Sequence, residues 1–169
     1  MDPFYAFLIF AGLLVVENLL AHGWVAAYFR FGIPVHFTRA ALPGPLDAAE
    51  TAQALDERFQ GGPLHPTIRF KPLGPGQVAL REALFEPRGG VRYLPVMHML
   101  VRLDPHAMQA SLTGYLNYWV LATLAYLLYR GLAERSFIPV ALLVLFILAF
   151  SYVLQAGVGR RISATLQVL

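Results

Sequence analysis

Cysteine is absent from the 169 residues, so disulfides, thiolate zinc sites, iron–sulfur clusters and cysteine nucleophiles are excluded. Charged residues are also scarce: they make up 14% of the chain, against about 25% in soluble globular proteins. Hydrophobic residues reach 57%, and the net charge of +3 is small. These shortages exclude a disordered tail, a nucleic-acid-binding arm and an ordinary cytosolic enzyme. They indicate a membrane protein instead.

Three stretches of the chain are almost free of charge. Residues 3–29 contain only Glu17, and residues 105–129 and 136–159 contain no charged residue. A helix that crosses the hydrocarbon layer needs about 20 mainly apolar residues, so the runs predict transmembrane helices at 3–29, 106–130 and 136–158. The first run lacks a basic n-region and a clean small-x-small cleavage site, so we interpret it as a retained helix and not a signal peptide.

The polar part of the sequence lies between the first two predicted spans. Ten of the twelve prolines and seven of the ten acidic residues fall between residues 34 and 105. We therefore expect an extramembrane α+β domain at 33–104. Asp47 with Glu50 three residues later is typical of a capping box. It precedes a predicted helix at 47–60, whose apolar residues share one face: Ala48, Ala52, Leu55 and Phe59.

Strand-like runs follow this helix at 67–71, 77–85 and 92–103, and turns rich in glycine and proline separate them. Such spacing predicts an antiparallel meander, to which residues 35–38 are a candidate fourth strand. The predicted fold is thus a membrane α-helical protein with three transmembrane helices and a small α+β domain between the first and second.

The arginines near the ends of the predicted helices set the expected orientation. Cytoplasmic loops carry an excess of cations, and one of the two possible orientations places five arginines inside and two outside. The five are Arg30, Arg39, Arg102, Arg160 and Arg161, and the two are Arg130 and Arg135. We expect a multi-pass protein of the bacterial cytoplasmic membrane with its N-terminus outside and its domain and C-terminus in the cytoplasm.

The last ten residues, 160–169, follow the third predicted span. Their apolar residues Ile162, Leu166 and Leu169 recur at helical spacing. This pattern predicts a separate amphipathic helix that lies on the cytoplasmic membrane surface or docks on a partner.

Glu17 is the main candidate for a functional side chain, because a carboxylate within a membrane helix costs several kcal/mol unless it is paired or protonated. We expect it to be neutral and hydrogen-bonded. Asn18 follows it, and His22 lies four residues further along the same face as Asn18. The group is interpreted either as a proton relay or cofactor pocket, or as a helix contact. In the contact, Glu17 bonds Asn117, Tyr118 or a partner subunit, and we favour this second interpretation.

Metal and cofactor motifs are weak. His22 lies between the small residues Ala21 and Gly23 and is a candidate ligand for a haem or a chlorophyll-type pigment, although a six-coordinate haem needs a second axial ligand. Met97 and Met99 flank His98, a pattern typical of Cu(I) sites, but alternation along a strand turns the histidine away from both methionines. No cofactor, metal site or catalytic residue is predicted.

Two functional hypotheses remain open. The favoured one is a non-catalytic accessory subunit that stabilises a larger integral-membrane assembly, an energy-converting respiratory or photosynthetic complex, with lipids and other membrane subunits as partners. The alternative is a small membrane enzyme or transporter component that uses Glu17 and His22 as a protonatable or cofactor-ligating pair. The sequence contains no GxSxG, Walker or GxGxxG motif, which argues against an enzyme.

Overall fold

A computed structural model describes residues 3–59, 68–82 and 95–169 of the chain. These residues form five helices and five strands. In chain order they are α1 (Pro3–His22), α2 (Ala26–Arg30), β1 (Pro34–Ala41), α3 (Ala48–Phe59), β2 (Ile68–Gly74), β3 (Gln77–Glu82), β4 (Met97–Asp104), β5 (Gln109–Leu116), α4 (Tyr118–Ala133) and α5 (Ile138–Leu166). A single 3-10 turn, Arg135–Phe137, precedes α5.

The strands form one antiparallel sheet in the order β1-β5-β4-β3-β2. Strands β2 to β5 follow one another as a meander, and β1 pairs with the outer edge of β5. The β2–β3 turn needs Gly76, whose φ of +61° is left-handed and whose added Cβ would lie 2.8 Å from the Leu103 carbonyl oxygen.

Helix α3 forms where the capping pattern predicted it. The Asp47 carboxylate accepts hydrogen bonds from the backbone N–H groups of Ala49 (2.7 Å) and Glu50 (3.4 Å), which begins the helix. The predicted apolar face is buried, including Leu55 and Phe59. The predicted strands at 67–71, 77–85 and 92–103 correspond to β2, β3 and β4. Residue 60 of the predicted helix and residues 67, 83–85 and 92–94 of the predicted strands lie outside the described residues.

The sheet carries helices on both faces. Helix α3 and the second half of α5 cover the face that presents Leu80, Met99 and Leu112, where the largest apolar core lies. Helix α2 covers the opposite face, which we call the α2 face, with Tyr28 and Phe29 packed on Leu100 and Tyr115. A third apolar cluster joins α1, α4 and the first half of α5 beyond the end of the sheet.

The prediction of three transmembrane helices is wrong. Within the described residues, one helix, Arg135–Leu166, is long and apolar enough to cross a membrane. The second predicted span, 106–130, is divided between strand β5 and helix α4, which has 16 residues. Residues 110 and 112–115 are buried in the sheet. A strand buried on both faces is as apolar as a membrane helix, so hydropathy does not distinguish them.

The other two predicted spans end at different residues in the structure than the sequence predicted. The run 3–29 breaks at His22, because Trp24 adopts a left-handed φ of 53° and α2 then turns back onto the sheet. The run 136–158 does not end there: α5 continues to Leu166, so the predicted amphipathic tail at 160–169 is mainly the last part of this helix. Its residues Ile162 and Leu166 are fully buried against the sheet, and not on a membrane surface.

Candidate functional site

Four polar side chains are buried together where α1, α2 and α4 meet the sheet. They are Glu17, Tyr28, His98 and Asn117, each 4–6% exposed. All four line a cleft whose volume is about 40 Å³. This volume has room for water molecules beside the four polar side chains.

Glu17 binds the N-terminus of helix α4. One carboxylate oxygen accepts a hydrogen bond from the backbone N–H of Tyr118 (2.5 Å), and the other accepts one from Trp119 (3.0 Å). The first N–H groups of a helix have no partner within the helix, and its N-terminus carries partial positive charge. Glu17 therefore caps α4 from a helix 101 residues earlier in the chain, and it fixes α1 to α4.

Asn117 connects β5 to α4, and its side-chain amide makes hydrogen bonds with three other residues. Its Nδ2 donates to the Pro95 carbonyl oxygen (2.8 Å), so its Oδ1 is turned toward Tyr28 and His98. The Tyr28 hydroxyl donates to that oxygen at 3.2 Å, and His98 Nδ1 lies 2.9 Å from it. Because an amide oxygen only accepts, His98 must carry its proton on Nδ1. The amide thus ties β4, α2 and α4 together.

The His98 ring lies among aromatic rings on the α2 face. Tyr28 stacks on it with centroids 4.2 Å apart, and Tyr115 stacks at 5.6 Å. Burial lowers the pKa of His98, whereas the oxygens of Asn117 and Phe31 near its two ring nitrogens favour the charged ring and raise the pKa. Burial also raises the pKa of the Tyr28 hydroxyl. Because burial is the larger effect for both side chains, it favours the neutral forms of His98 and Tyr28.

A second buried polar contact joins α5 to the sheet through Gln155, which is fully buried. Its Oε1 accepts hydrogen bonds from the backbone N–H groups of Val96 (2.8 Å) and Met97 (3.0 Å). Its Nε2 donates to the Met97 carbonyl oxygen (3.2 Å) and to Glu82 Oε2 (3.0 Å). The amide satisfies the first backbone groups of β4 and fixes where α5 crosses the sheet.

The structure does not join all of the side chains that the sequence grouped. Glu17 lies beside Asn117 and the backbone of Tyr118, whereas Asn18 and His22 bond their own helix. Asn18 Nδ2 donates to the Leu14 carbonyl oxygen (3.1 Å), and His22 Nδ1 lies 2.9 Å from the Asn18 carbonyl oxygen. These bonds use the polar groups of Asn18 and His22 within α1, although Asn18 also lines the cleft that contains Glu17.

Sequence reasoning missed Tyr28, the role of His98 and Gln155. The signal for His98 was present, because it is a polar residue within an otherwise apolar strand and needs a buried partner. His98 lies on the α2 face, while Met97 and Met99 belong to the core on the opposite face. The partners of all three residues lie at least 19 positions away in sequence, so no local pattern identified them.

No group of metal-binding side chains is present in the described structure. Within residues 3–59, 68–82 and 95–169, no three His, Asp or Glu side chains are grouped closely enough to hold a metal ion. His22, the candidate ligand for a haem or pigment, is exposed at the end of α1.

Comparison with known proteins gives no relative: no protein-family model matches the chain, and neither does any curated protein or solved structure.

Proposed function

We propose that this protein is a membrane-anchored, non-catalytic accessory subunit of a larger integral-membrane assembly. Helix α5 is its candidate spanning helix, and the sheet with α2 and α3 forms a domain at one side of the membrane. The observation that carries the proposal is the apolar surface of α5. Of its most apolar 18-residue window, 11% is buried within the chain, which is too little for the core helix of a water-soluble protein.

The first half of α5 exposes ten large apolar side chains: Ile138, Val140, Leu142, Leu143, Leu145, Phe146, Ile147, Phe150, Val153 and Leu154. Helix α1 adds further exposed apolar residues, including Val16 and Leu19, and α4 adds Leu128 and Leu132. Half-burying one such side chain is worth about 1 kcal/mol. Transfer of the ten residues on α5 out of water is therefore worth about 10 kcal/mol, as much as the whole stability of an ordinary domain.

Helix lengths support protein neighbours as well as lipid. Helix α4 has 16 residues and is about 24 Å long, and the part of α5 that precedes its first hydrogen bond to the sheet at Tyr152, residues 138–151, is about 21 Å long. A typical hydrocarbon layer is about 30 Å thick. Short apolar helices relieve such a mismatch by thinning the bilayer or by packing against other membrane helices. Within an assembly, α4 and α5 pack against other membrane helices, which accommodates their short length and covers their exposed apolar side chains.

The buried polar groups support a structural role. Each of the three side chains makes hydrogen bonds to the backbone or to side chains of this chain: Glu17, Asn117 and Gln155. No contact joins Glu17 to His22 in the described structure, so the enzyme or transporter alternative gains no support. These polar groups have partners within the chain, so the apolar surface alone supports contact with other subunits.

The proposed location is the bacterial cytoplasmic membrane, with the sheet domain in the cytoplasm. The C-terminal half of α5, with Arg160 and Arg161, lies on the sheet side, whereas Arg130 and Arg135 lie near the opposite end of the helices. The excess of arginine beside the sheet favours this orientation.

Site-specific photocrosslinking in intact cells tests the proposal. A photoreactive residue replaces Phe146, which is 69% exposed on α5, and a control replaces Glu57, which is exposed on α3. We expect Phe146 to crosslink to one or a few unlike polypeptides of fixed mass, and Glu57 to give none of these products. Crosslinks from Phe146 to lipid alone, or to a second copy of this chain alone, would contradict the accessory-subunit role.

A further inference from the structure

A group of cations lies on the α2 face beside the end of α1. Arg69 on β2 and Arg81 on β3 are directly opposite each other in the sheet, and Lys71 is two residues along β2 on the same side. Like charges directly opposite each other destabilise a sheet. Asp56 neutralises the charge of Arg69 through an ion pair of 3.1 Å. The positive charges of Arg81 and Lys71 have no such carboxylate among the described residues.

Arg81 makes few polar contacts within the chain. Its Nη1 donates one long hydrogen bond of 3.5 Å to the His22 carbonyl oxygen, and its Nε is buried with no hydrogen-bond partner. No ion pair joins it to a carboxylate in the described part of the chain. The adjacent Glu82 accepts a hydrogen bond from Gln155 of α5, on the other side of the sheet.

Capping of α1 explains only part of this arrangement. A cation near the last carbonyl groups of a helix is favourable, and Arg81 occupies that position. The capping contact uses one of the five N–H donors of the guanidinium. Nε is buried, so the N–H groups of Nη2 and the second N–H of Nη1 remain for a ligand. Guanidinium N–H groups in this planar arrangement bind phosphate or carboxylate oxygens in pairs.

Trp24 completes the group. The guanidinium carbon of Arg81 lies 5.1 Å from the centroid of the Trp24 ring, and Lys71 Nζ lies 5.9 Å from it. Trp24 is held by stacking on Phe29 at 5.7 Å and by its left-handed backbone, with a φ of 53°. Tryptophan and arginine together are typical of the boundary between a membrane and water.

The exposed apolar side of α1 faces away from the cleft lined by Glu17 and Asn18, and it ends within one turn of His22. Leu19, one helical turn before His22, is 67% exposed, and Val15 and Val16 of the preceding turn are 57% and 51% exposed. A ligand with a phosphate group and acyl chains fits this succession of surfaces, because the chains follow α1 and the phosphate reaches Arg81.

We propose that Arg81, Lys71 and Trp24 form a binding site for a phosphate group, supplied by the headgroup of an anionic phospholipid whose acyl chains lie along α1. Arg81 donates paired hydrogen bonds to the phosphate oxygens, and Lys71 adds positive charge. Trp24 positions both cations. The lipid source rests on the proposed membrane association, whereas the phosphate site itself does not.

Isothermal titration calorimetry of the full chain in a non-ionic detergent tests the site with three soluble probes. The probes are dihexanoyl phosphatidylglycerol, dihexanoyl phosphatidylcholine and inorganic phosphate. We expect saturable binding of the glycerol lipid, at least about tenfold tighter than that of the choline lipid or of inorganic phosphate. Arg81→Gln should weaken binding about tenfold, and Lys71→Gln several-fold. The control Arg39→Gln changes an exposed cation elsewhere on the same face and should leave the affinity within about twofold.

Three results separate the possible failures. Equal binding of phosphatidylglycerol and inorganic phosphate supports the phosphate site and overturns the lipid source. Equal loss of affinity in the Arg39 and Arg81 variants, or no saturable binding of any probe, overturns the site. Flotation with neutral phosphatidylcholine liposomes tests membrane association on its own, because that lipid does not depend on Arg81. Circular dichroism checks that Arg81→Gln is folded, and Arg81→Lys, which keeps the charge but not the fork, should recover only part of the affinity.

Discussion

Replacement of Glu17 tests the contact that fixes α1 to α4. Both carboxylate oxygens of Glu17 accept a backbone N–H, from Tyr118 and from Trp119, and the side chain is 4% exposed. Glutamine has the same shape but only one acceptor oxygen, so in Glu17→Gln the amide NH₂ faces one of the two N–H groups. We expect a loss of about 1–3 kcal/mol in the free energy of unfolding.

Glu17→Ala removes both acceptors and leaves two buried N–H groups without a partner, which costs about 2–6 kcal/mol. Chemical denaturation in detergent, followed by circular dichroism, measures both losses. The matched control is Glu134→Gln, which removes a carboxylate that is 48% exposed in an ion pair with Arg130. A surface ion pair of this kind contributes at most about 1 kcal/mol.

The order of the three variants is the decisive result. We expect Glu17→Ala to be the least stable, Glu17→Gln to be intermediate, and Glu134→Gln to be close to the unmodified protein. If Glu17→Gln unfolds at the same denaturant concentration as the unmodified protein, the carboxylate does not accept both N–H groups. The capping role of Glu17 would then be refuted.

Four further predictions use the same unfolding assay. Gln155→Leu leaves two N–H groups at the start of β4 unpaired and should cost about 2–4 kcal/mol; an unchanged protein would mean that α5 does not dock there. Asn117→Ala removes the partner of three groups and should cost about 2–5 kcal/mol, and a neutral result would contradict the network. Phe59→Ala should cost about 3–5 kcal/mol, because the ring is 8% exposed in the main core; no loss would place α3 away from the sheet. The pKa of His98 is lowered by burial below its ordinary value of 6.5. The unfolded chain therefore binds more protons in this range, and stability falls as the pH drops from about 7.5 to 5. His98→Gln should reduce this fall, and His36, whose pKa is also lowered by burial, accounts for the remainder; an unaltered pH profile would contradict the neutral, buried state of His98.

Local patterns in the sequence correspond to part of the sheet domain. The capping residue Asp47 and the face formed by Leu55 and Phe59 appear in α3, and the turn at 73–76 joins two antiparallel strands. These features depend on residues within a few positions of one another. Backbone geometry and side-chain periodicity therefore dictate them before any tertiary contact forms.

The boundary between sheet and helices was predicted wrongly because it depends on burial within the fold. Strand β5 has the uncharged composition of a membrane helix, and only its pairing with β1 and β4 identifies it as a strand. The C-terminal half of α5 buries apolar residues such as Ile162 and Leu166 against the sheet, whereas the apolar residues of its first half are exposed. Hydropathy measures composition and does not show what an apolar residue contacts.

The candidate site was predicted only in part for the same reason. Glu17 stood out because a lone carboxylate in an apolar helix needs a partner, and Asn117 and Tyr118 lie at the end of α4 that it binds. Its partners are backbone N–H groups because helix α4 begins at Tyr118. The sequence did not predict this start of α4, because it did not predict strand β5, which ends two residues earlier.

The mass of the native particle tests the central claim most directly. The chain, tagged at its natural expression level and extracted with a mild detergent, is purified, and native mass spectrometry measures the intact complex. The account predicts a particle much heavier than the 18.7 kDa chain, which contains unlike membrane subunits in a fixed ratio. A particle of 18.7 kDa, or of a whole multiple of that mass, would contradict the role as an accessory subunit.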